Sequence, residues 1–210
     1  EGMNKLFSKL QLFSIKGRKL YLFLLLIFII GVVFGSIFIT ILNEQDKTTV
    51  INQIVSFFTQ IKANKINYLE VLKNSITSNL IYVVVIWLLG ISIIGIPIII
   101  FINFLKGFMI GFSIAAIIAK YKLIGILGSF TYIFPHIILL VLIIIKVSYH
   151  ALALSLNLLK AIIERKSINF NEIASHYCFS LLISSIIVVA ASLIETFVSP
   201  YVMKLFTMFI

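Results

Sequence analysis

The sequence predicts an all-α protein: a polytopic helical bundle embedded in a membrane. Three observations predict it. First, 61% of the 210 residues are hydrophobic and only 11% are charged, with a mean hydropathy of +1.19. Soluble domains are about half apolar and about a quarter charged. This chain has too little polar surface to coat a globule, so lipid must act as solvent. Second, uncharged apolar runs reach the roughly 20 helical residues needed to cross a hydrocarbon core. Third, Lys5, Lys9, Lys16, Arg18 and Lys19 crowd just ahead of the first such run, where the positive-inside rule expects cytoplasmic charge.

The elements follow in order. Residues 1–19 form a basic, cytoplasmic N-terminus; Glu1 and Gly2 precede Met3 and read as an appendage. Residues 20–42 hold no charge and make the first span. The run is too long for a signal peptide and lacks a small-residue cleavage site. Residues 43–75 are polar and extracytoplasmic. Within them Val50, Ile54, Phe57, Phe58 and Ile61 recur at helical spacing, which predicts one amphipathic helix on the membrane surface or on a partner. Phe57, Phe58, Ile61 and Tyr68 are therefore candidate partner contacts. The plainer alternative is a helix that covers its own protein.

Residues 76–199 carry the remaining spans. Leu80 to Ala119 is too long for one crossing and fits two, with Lys106 at a cytoplasmic turn. Gly90, Gly95 and Pro97 interrupt its first half; Gly107 and Gly111 punctuate the second. Proline and glycine at membrane depth are tolerated where other helices cover the freed backbone groups, which argues for a packed bundle. Tyr121 and Lys122 close this region on the outer side. Leu123 to Ile145 is a further span, with Pro135 and His136 near its middle. Val147 to Ile163 reads as a sixth span, a continuation, or an interfacial helix. With Lys160, Arg165 and Lys166 cytoplasmic, five spans is the simplest count and six the alternative. The last span runs from Ile173 to Val198. Residues 200–210 form an amphipathic, extracytoplasmic tail, with Met203, Leu205 and Phe206 near the surface. The whole chain, 1–210, is a single membrane domain.

The net charge of +10 needs no nucleic-acid partner, since positive-inside placement accounts for it. The lone Cys178 can form no internal disulfide and reads as a packing residue. No HExxH, GxSxG, P-loop or GxGxxG motif occurs, and the three histidines share no zinc-ligand spacing. No catalytic residue, metal or cofactor is expected, and membrane lipid is the expected surrounding. Gly31/Gly35 and Gly107/Gly111 each present a small-xxx-small face for close helix packing or self-association. Gly95, Pro97 and Pro135 are kink or packing candidates. Three intramembrane polar residues stand out. Lys106 reads as a cytoplasmic anchor and Glu195 as an outer-interface or bundle-facing group, because a charge at mid-depth costs about 2.5–3.5 kcal/mol on insertion scales. His136 either acts or satisfies a carbonyl freed by the Pro135 kink. A proton relay there would need a second ionisable partner, and the sequence identifies none.

The run Trp87-Leu-Leu-Gly-Ile-Ser-Ile-Ile-Gly-Ile-Pro97 is followed by Phe104-Leu-Lys-Gly-Phe-Met-Ile-Gly-Phe112, then Gly125 and Pro135. With Gly31-Val-Val-Phe-Gly35 and the tail Ala191-Ser-Leu-Ile-Glu-Thr-Phe-Val-Ser-Pro-Tyr-Val-Met-Lys204, these residues resemble the stage II sporulation protein M family of endospore-forming Firmicutes, over nearly the whole chain and in order. One departure is His136, where the family leads one to expect a polar amide; an amide cannot titrate. The resemblance implies a non-enzymatic membrane scaffold required for engulfment. It implies partners, the peptidoglycan-degrading stage II sporulation proteins D and P, and a place at the sporulation septum and engulfing mother-cell membrane. Two other functions stay open: a transporter or channel, and a maturation or immunity protein of a circular-bacteriocin cluster.

Overall fold

A computed structural model describes residues 15–63, 67–133, 136–165 and 170–207. Among these residues every regular element is a helix: α1 (Ile15–Ile41), α2 (Glu44–Lys62), α3 (Tyr68–Gly90), α4 (Gly95–Ile133), α5 (His136–Glu164), α6 (Phe170–Phe197) and α7 (Ser199–Thr207). Five segments are long and apolar enough to cross a membrane: Gly17–Ile41, Tyr68–Gly90, Gly95–Thr131, His136–Glu164 and Tyr177–Lys204. The chain is an all-α, multi-pass membrane bundle.

The most extensive interface joins α1 to α4. Gly31 and Gly35 sit on Phe104 and Phe108, while Gly107 and Gly111 sit on Phe28 and Val32. The two numberings rise together, so the helices run parallel. A Cβ at any of the four glycines would overlap a backbone carbonyl oxygen across the seam. The two small-residue faces therefore meet each other within one chain. Phenylalanines close over the seam: Phe34 packs edge-on to Phe104 at 6.0 Å and Phe38 to Phe108 at 5.3 Å. The Ser36 hydroxyl lies 3.2 Å from the Gly111 carbonyl and 2.9 Å from that of Val32.

α5 is the central helix. Of its most apolar stretch 56% is buried, against 22–28% for the other four spans. It runs antiparallel to α4. Asn103 donates to the Ser148 hydroxyl at 2.7 Å, and lower down Ser155 lies 2.9 and 3.0 Å from the carbonyls of Gly90 and Ser92. Those carbonyls belong to the end of α3 and the turn after it, and helix ends leave such acceptors unpaired. On the same level α3 and α6 clamp each other. Trp87 Nε1 donates to the Tyr177 carbonyl at 3.3 Å, and the Tyr177 hydroxyl returns a bond to the Trp87 carbonyl at 2.6 Å.

The far end of the bundle is capped by α2 and α7. Asn43 caps α2 by accepting from Asp46 N at 2.8 Å. Phe58, Ile61, Ile117 and Met203 form a small separate core there, flanked by Ile54 and Tyr121. Just beyond, Lys122 (φ 53°, ψ −127°) reverses the chain. Residues 123–133 then fold back along α4, with Gly125 against Ile117 and Ile118 and the Ser129 hydroxyl 3.3 Å from the Ile114 carbonyl.

Several sequence expectations change. The turn between the second and third spans is Ile91–Ile94, not Lys106, which lies mid-helix in α4. Ser92 N bonds the Leu89 carbonyl and Gly95 N the Ser92 carbonyl, so an apolar tetrapeptide turns on its own backbone. A Cβ at Gly95 would overlap the Leu89 carbonyl, so this turn requires glycine there. Pro97 lies in the first turn of α4, where a missing N–H costs nothing. The polar segment ends near residue 67, because Asn67 starts α3 and Ser75 already lies within a span. Leu123 to Ile145 is not one helix, since α5 starts at His136 and absorbs Val147 to Ile163. Pro135 lies outside the described residues. Met203, expected near the surface, is buried, and Cys178, expected to pack, is exposed.

The seam yields a direct prediction. Gly111→Ala forces the α1 and α4 backbones apart, and overpacking of this kind costs about 1–3 kcal/mol. The detergent-solubilised protein should melt at a clearly lower temperature than the parent, as should Gly35→Ala. A melting temperature unchanged in both would show that the backbones do not touch.

Candidate functional site

Near the capped end, four helices bring polar side chains together. α3 contributes Ser75 and Asn79, α5 opens with His136, α6 supplies Glu195, and α7 opens with Ser199. Ser75, Asn79, His136 and Ser199 are all buried. The Ser75 hydroxyl donates to Glu195 Oε2, and Asn79 Nδ2 donates to Ser75 Oγ at 3.3 Å. On the other side His136 Nε2 faces Glu195 Oε1 at 4.0 Å. His136 Nδ1 and Ser199 Oγ are 2.8 Å apart. A proton on Nε2, toward the carboxylate, is the favourable arrangement, with the serine then donating to Nδ1. Both α5 and α7 begin here, and helix N-termini favour negative charge. The site is built to hold a carboxylate inside an apolar bundle.

Lys106 belongs to the same site. It lies about 16 Å along α4 from Gly95, near half the depth of a hydrocarbon core of roughly 30 Å. Its ammonium sits over the Tyr82 ring, 4.6 Å from the centroid. Lys106, His136, Glu195 and Asn79 line one cavity of about 150 Å³. A second, larger cavity of about 530 Å³ opens toward α2 and α7 and is lined by Asn67, Glu70, Asn74, His136, Glu195 and Ser199, among others. His136 and Glu195 line both. They stand where an outer vestibule meets an inner polar chamber.

This placement corrects two sequence expectations. Lys106 is not a cytoplasmic anchor, because α4 runs unbroken past it and carries it to the Glu195 chamber. The intramembrane ionisable groups are also not isolated: Glu195 is the partner for His136 that the sequence did not identify. A distance of 59 residues along the chain hid it, and only the α5–α6 contact makes the pair. Ser75, Asn79 and Ser199 were missed as well. A signal existed in their polarity inside apolar runs, but serine in a span most often bonds its own helix, as Thr196 does to the Ser192 carbonyl at 2.9 Å.

The remaining candidates separate cleanly. Gly31, Gly35, Gly107 and Gly111 build the α1–α4 seam, away from the polar site. Phe58 and Ile61 are buried in the cap core, so they are not free surface for a partner. Phe57 is 43% exposed and Tyr68 38%; Tyr68 stacks on Phe197 at 6.0 Å. Among the described residues no group of three or more His, Cys, Asp or Glu could hold a metal ion.

The fold and the buried polar site define a multi-pass helical membrane protein with a charged centre reached from one end. A model of the family described as Stage II sporulation protein M matches residues 24–200. The chain belongs to that family and is a sporulation-family membrane protein. No curated protein and no solved structure matches it significantly. The matched segment contains the whole polar site and stops just after Ser199.

The geometry separates two substitutions of Glu195. Glu195→Gln keeps an acceptor for Ser75 and should leave the melting temperature close to that of the parent. Glu195→Leu removes the acceptor of the Ser75 hydroxyl, and an unsatisfied buried polar group costs about 1–3 kcal/mol. Thermal unfolding in detergent should rank parent and Gln variant together, with Leu well below. Equal stability of Leu and Gln would remove the hydrogen bonds from the account.

Proposed function

We propose that this chain is a non-enzymatic membrane scaffold for engulfment during sporulation. In this role it recruits the peptidoglycan-degrading stage II sporulation proteins D and P and holds them at the septal membrane. The family match across residues 24–200 carries the proposal. The shape supports it. The basic N-terminus favours a cytoplasmic start. With five crossings the capped end, formed by α2 and α7, then faces the wall, where the hydrolases work. Leu69 at 79% exposure and Tyr201 at 69% stand at that end with Phe57 and Tyr68. Exposed aromatic and large apolar groups are the usual anchors of protein interfaces.

Affinity capture of the tagged chain from sporulating cells should recover the D and P proteins. The double variant Leu69→Glu, Tyr201→Glu should reduce that recovery about tenfold, the scale of one lost hot spot, while the chain stays in the membrane at normal abundance. Undiminished recovery would remove the capped end from the interaction.

One observation favours a second reading, transport. Lys106, His136 and Glu195 converge at membrane depth, and intramembrane ionisable groups commonly mark ion or proton paths. The scaffold reading expects proteoliposomes to pass protons no faster than protein-free vesicles. A proton flux that Glu195→Gln abolishes would install transport instead.

A further inference from the structure

We propose that the vestibule beneath α2 and α7 takes a lysine or arginine side chain from an extracytoplasmic polypeptide, with Glu195 as its counter-charge. The proposal deepens the scaffold reading and rests on it for which polypeptide arrives.

Three observations carry it. The first is shape. The vestibule holds about 530 Å³, room for one long side chain and part of its backbone. The second is the distribution of chemistry. Phe57, Ile61, Val71 and Met203 make apolar walls, amides from Asn67 and Asn74 stand among them, and the Glu195 carboxylate lies at the junction with the inner chamber. Lysine and arginine match this order, since their apolar stems lie along apolar surface and their charged heads reach past it. The third is charge. The chain carries +10 overall with only seven acidic residues, yet among the described residues Glu70 and Glu195 both line this cavity and no lysine or arginine does. An anionic recess in a cationic protein attracts a cation selectively.

Glu195 is prepared for this role. Its side chain is 31% exposed, so a ligand can reach it. Ser75 donates to one carboxylate oxygen, His136 faces the other at 4.0 Å and Lys106 shares the inner chamber; a carboxylate offers about four lone-pair sites, so acceptor capacity remains on the vestibule side. A hard divalent cation would want six or more oxygens, and no metal-binding cluster occurs among the described residues. An alkylammonium or guanidinium needs only the one carboxylate and neighbouring amide oxygens.

The test uses the full-length chain in lipid nanodiscs. The probe is N-acetyl-Ala-Arg-Ala-amide, compared with its citrulline isostere, which keeps the shape and loses the charge. The arginine peptide should bind at least about tenfold more tightly than the citrulline peptide, the scale of one charge-assisted hydrogen bond. Glu195→Gln should erase most of that difference and Glu70→Gln a smaller part. Glu44→Gln, at the start of α2 and outside the vestibule, should leave it intact. Asn74→Lys tethers a cation in the vestibule without altering the partners of Glu195, and it should block the peptide. Equal binding of the two peptides, or undiminished selectivity in folded Glu195→Gln, overturns the proposal. Free spermidine binding more tightly than the peptide also overturns it, because a small polyamine would then be the occupant. If the arginine peptide binds as described while the D and P proteins are not captured, the vestibule stands and the scaffold reading falls.

Discussion

The backbone-on-backbone seam between α1 and α4 constrains everything else. In lipid no hydrophobic gain rewards helix association, because acyl chains are as apolar as leucine. What remains is close approach, and four glycines allow it. Side chains would hold the two axes apart; their absence lets main-chain atoms meet and lets Phe34, Phe38, Phe104 and Phe108 fold across the flanks. Because α1 and α4 are parallel, the chain between them must return across the membrane, and α3 does so. With α1 and α4 fixed side by side, the position of Lys106 is fixed too, one residue before Gly107. The seam thus sets the depth of the lysine.

The interior polar groups follow a second constraint, that no backbone or side-chain polar atom goes unpaired cheaply in a low-dielectric setting. Near the turn end, Ser155 reaches the helix-end carbonyls of Gly90 and Ser92, and Trp87 and Tyr177 exchange bonds. At mid-depth Asn103 spends its amide hydrogens on Ile99 and Ser148. These bonds stitch helices, and none of these groups lines one of the two cavities beside Glu195. The Glu195 group differs. His136 and Glu195 line cavities on both sides, and the carboxylate faces both. That contrast separates structural polarity from a site.

Much of the fold was legible. Five crossings, the first span, the amphipathic α2 and the two glycine faces all follow from hydropathy and spacing. The misplaced turn has a definite physical origin. A charge inside an apolar region was read as a boundary, since burying it is costly; this moved the turn from Ile91–Ile94 to Lys106. The cost is real, but Tyr82 under the ammonium and Glu195 across the chamber offset it. Those partners lie 24 and 89 residues away, beyond any local pattern. Phe58 and Ile61 show the converse limit. An amphipathic helix reveals an apolar face but not what covers it, and here Ile117 and Met203 of the same chain do.

The cap and the carboxylate therefore form one device. α7 begins at Ser199, which bonds His136, and four residues on it buries Met203 against α2. α7 thus packs against α2 through Met203 and meets His136 through Ser199, beside Glu195. A group that engages Glu195 from the vestibule must wedge against Phe57, Ile61 and Met203. The vestibule and the cap thus share residues: Ile61 and Met203 line the one and build the core of the other. A side chain that meets Glu195 there, as proposed, would lie against the same residues that hold the cap together.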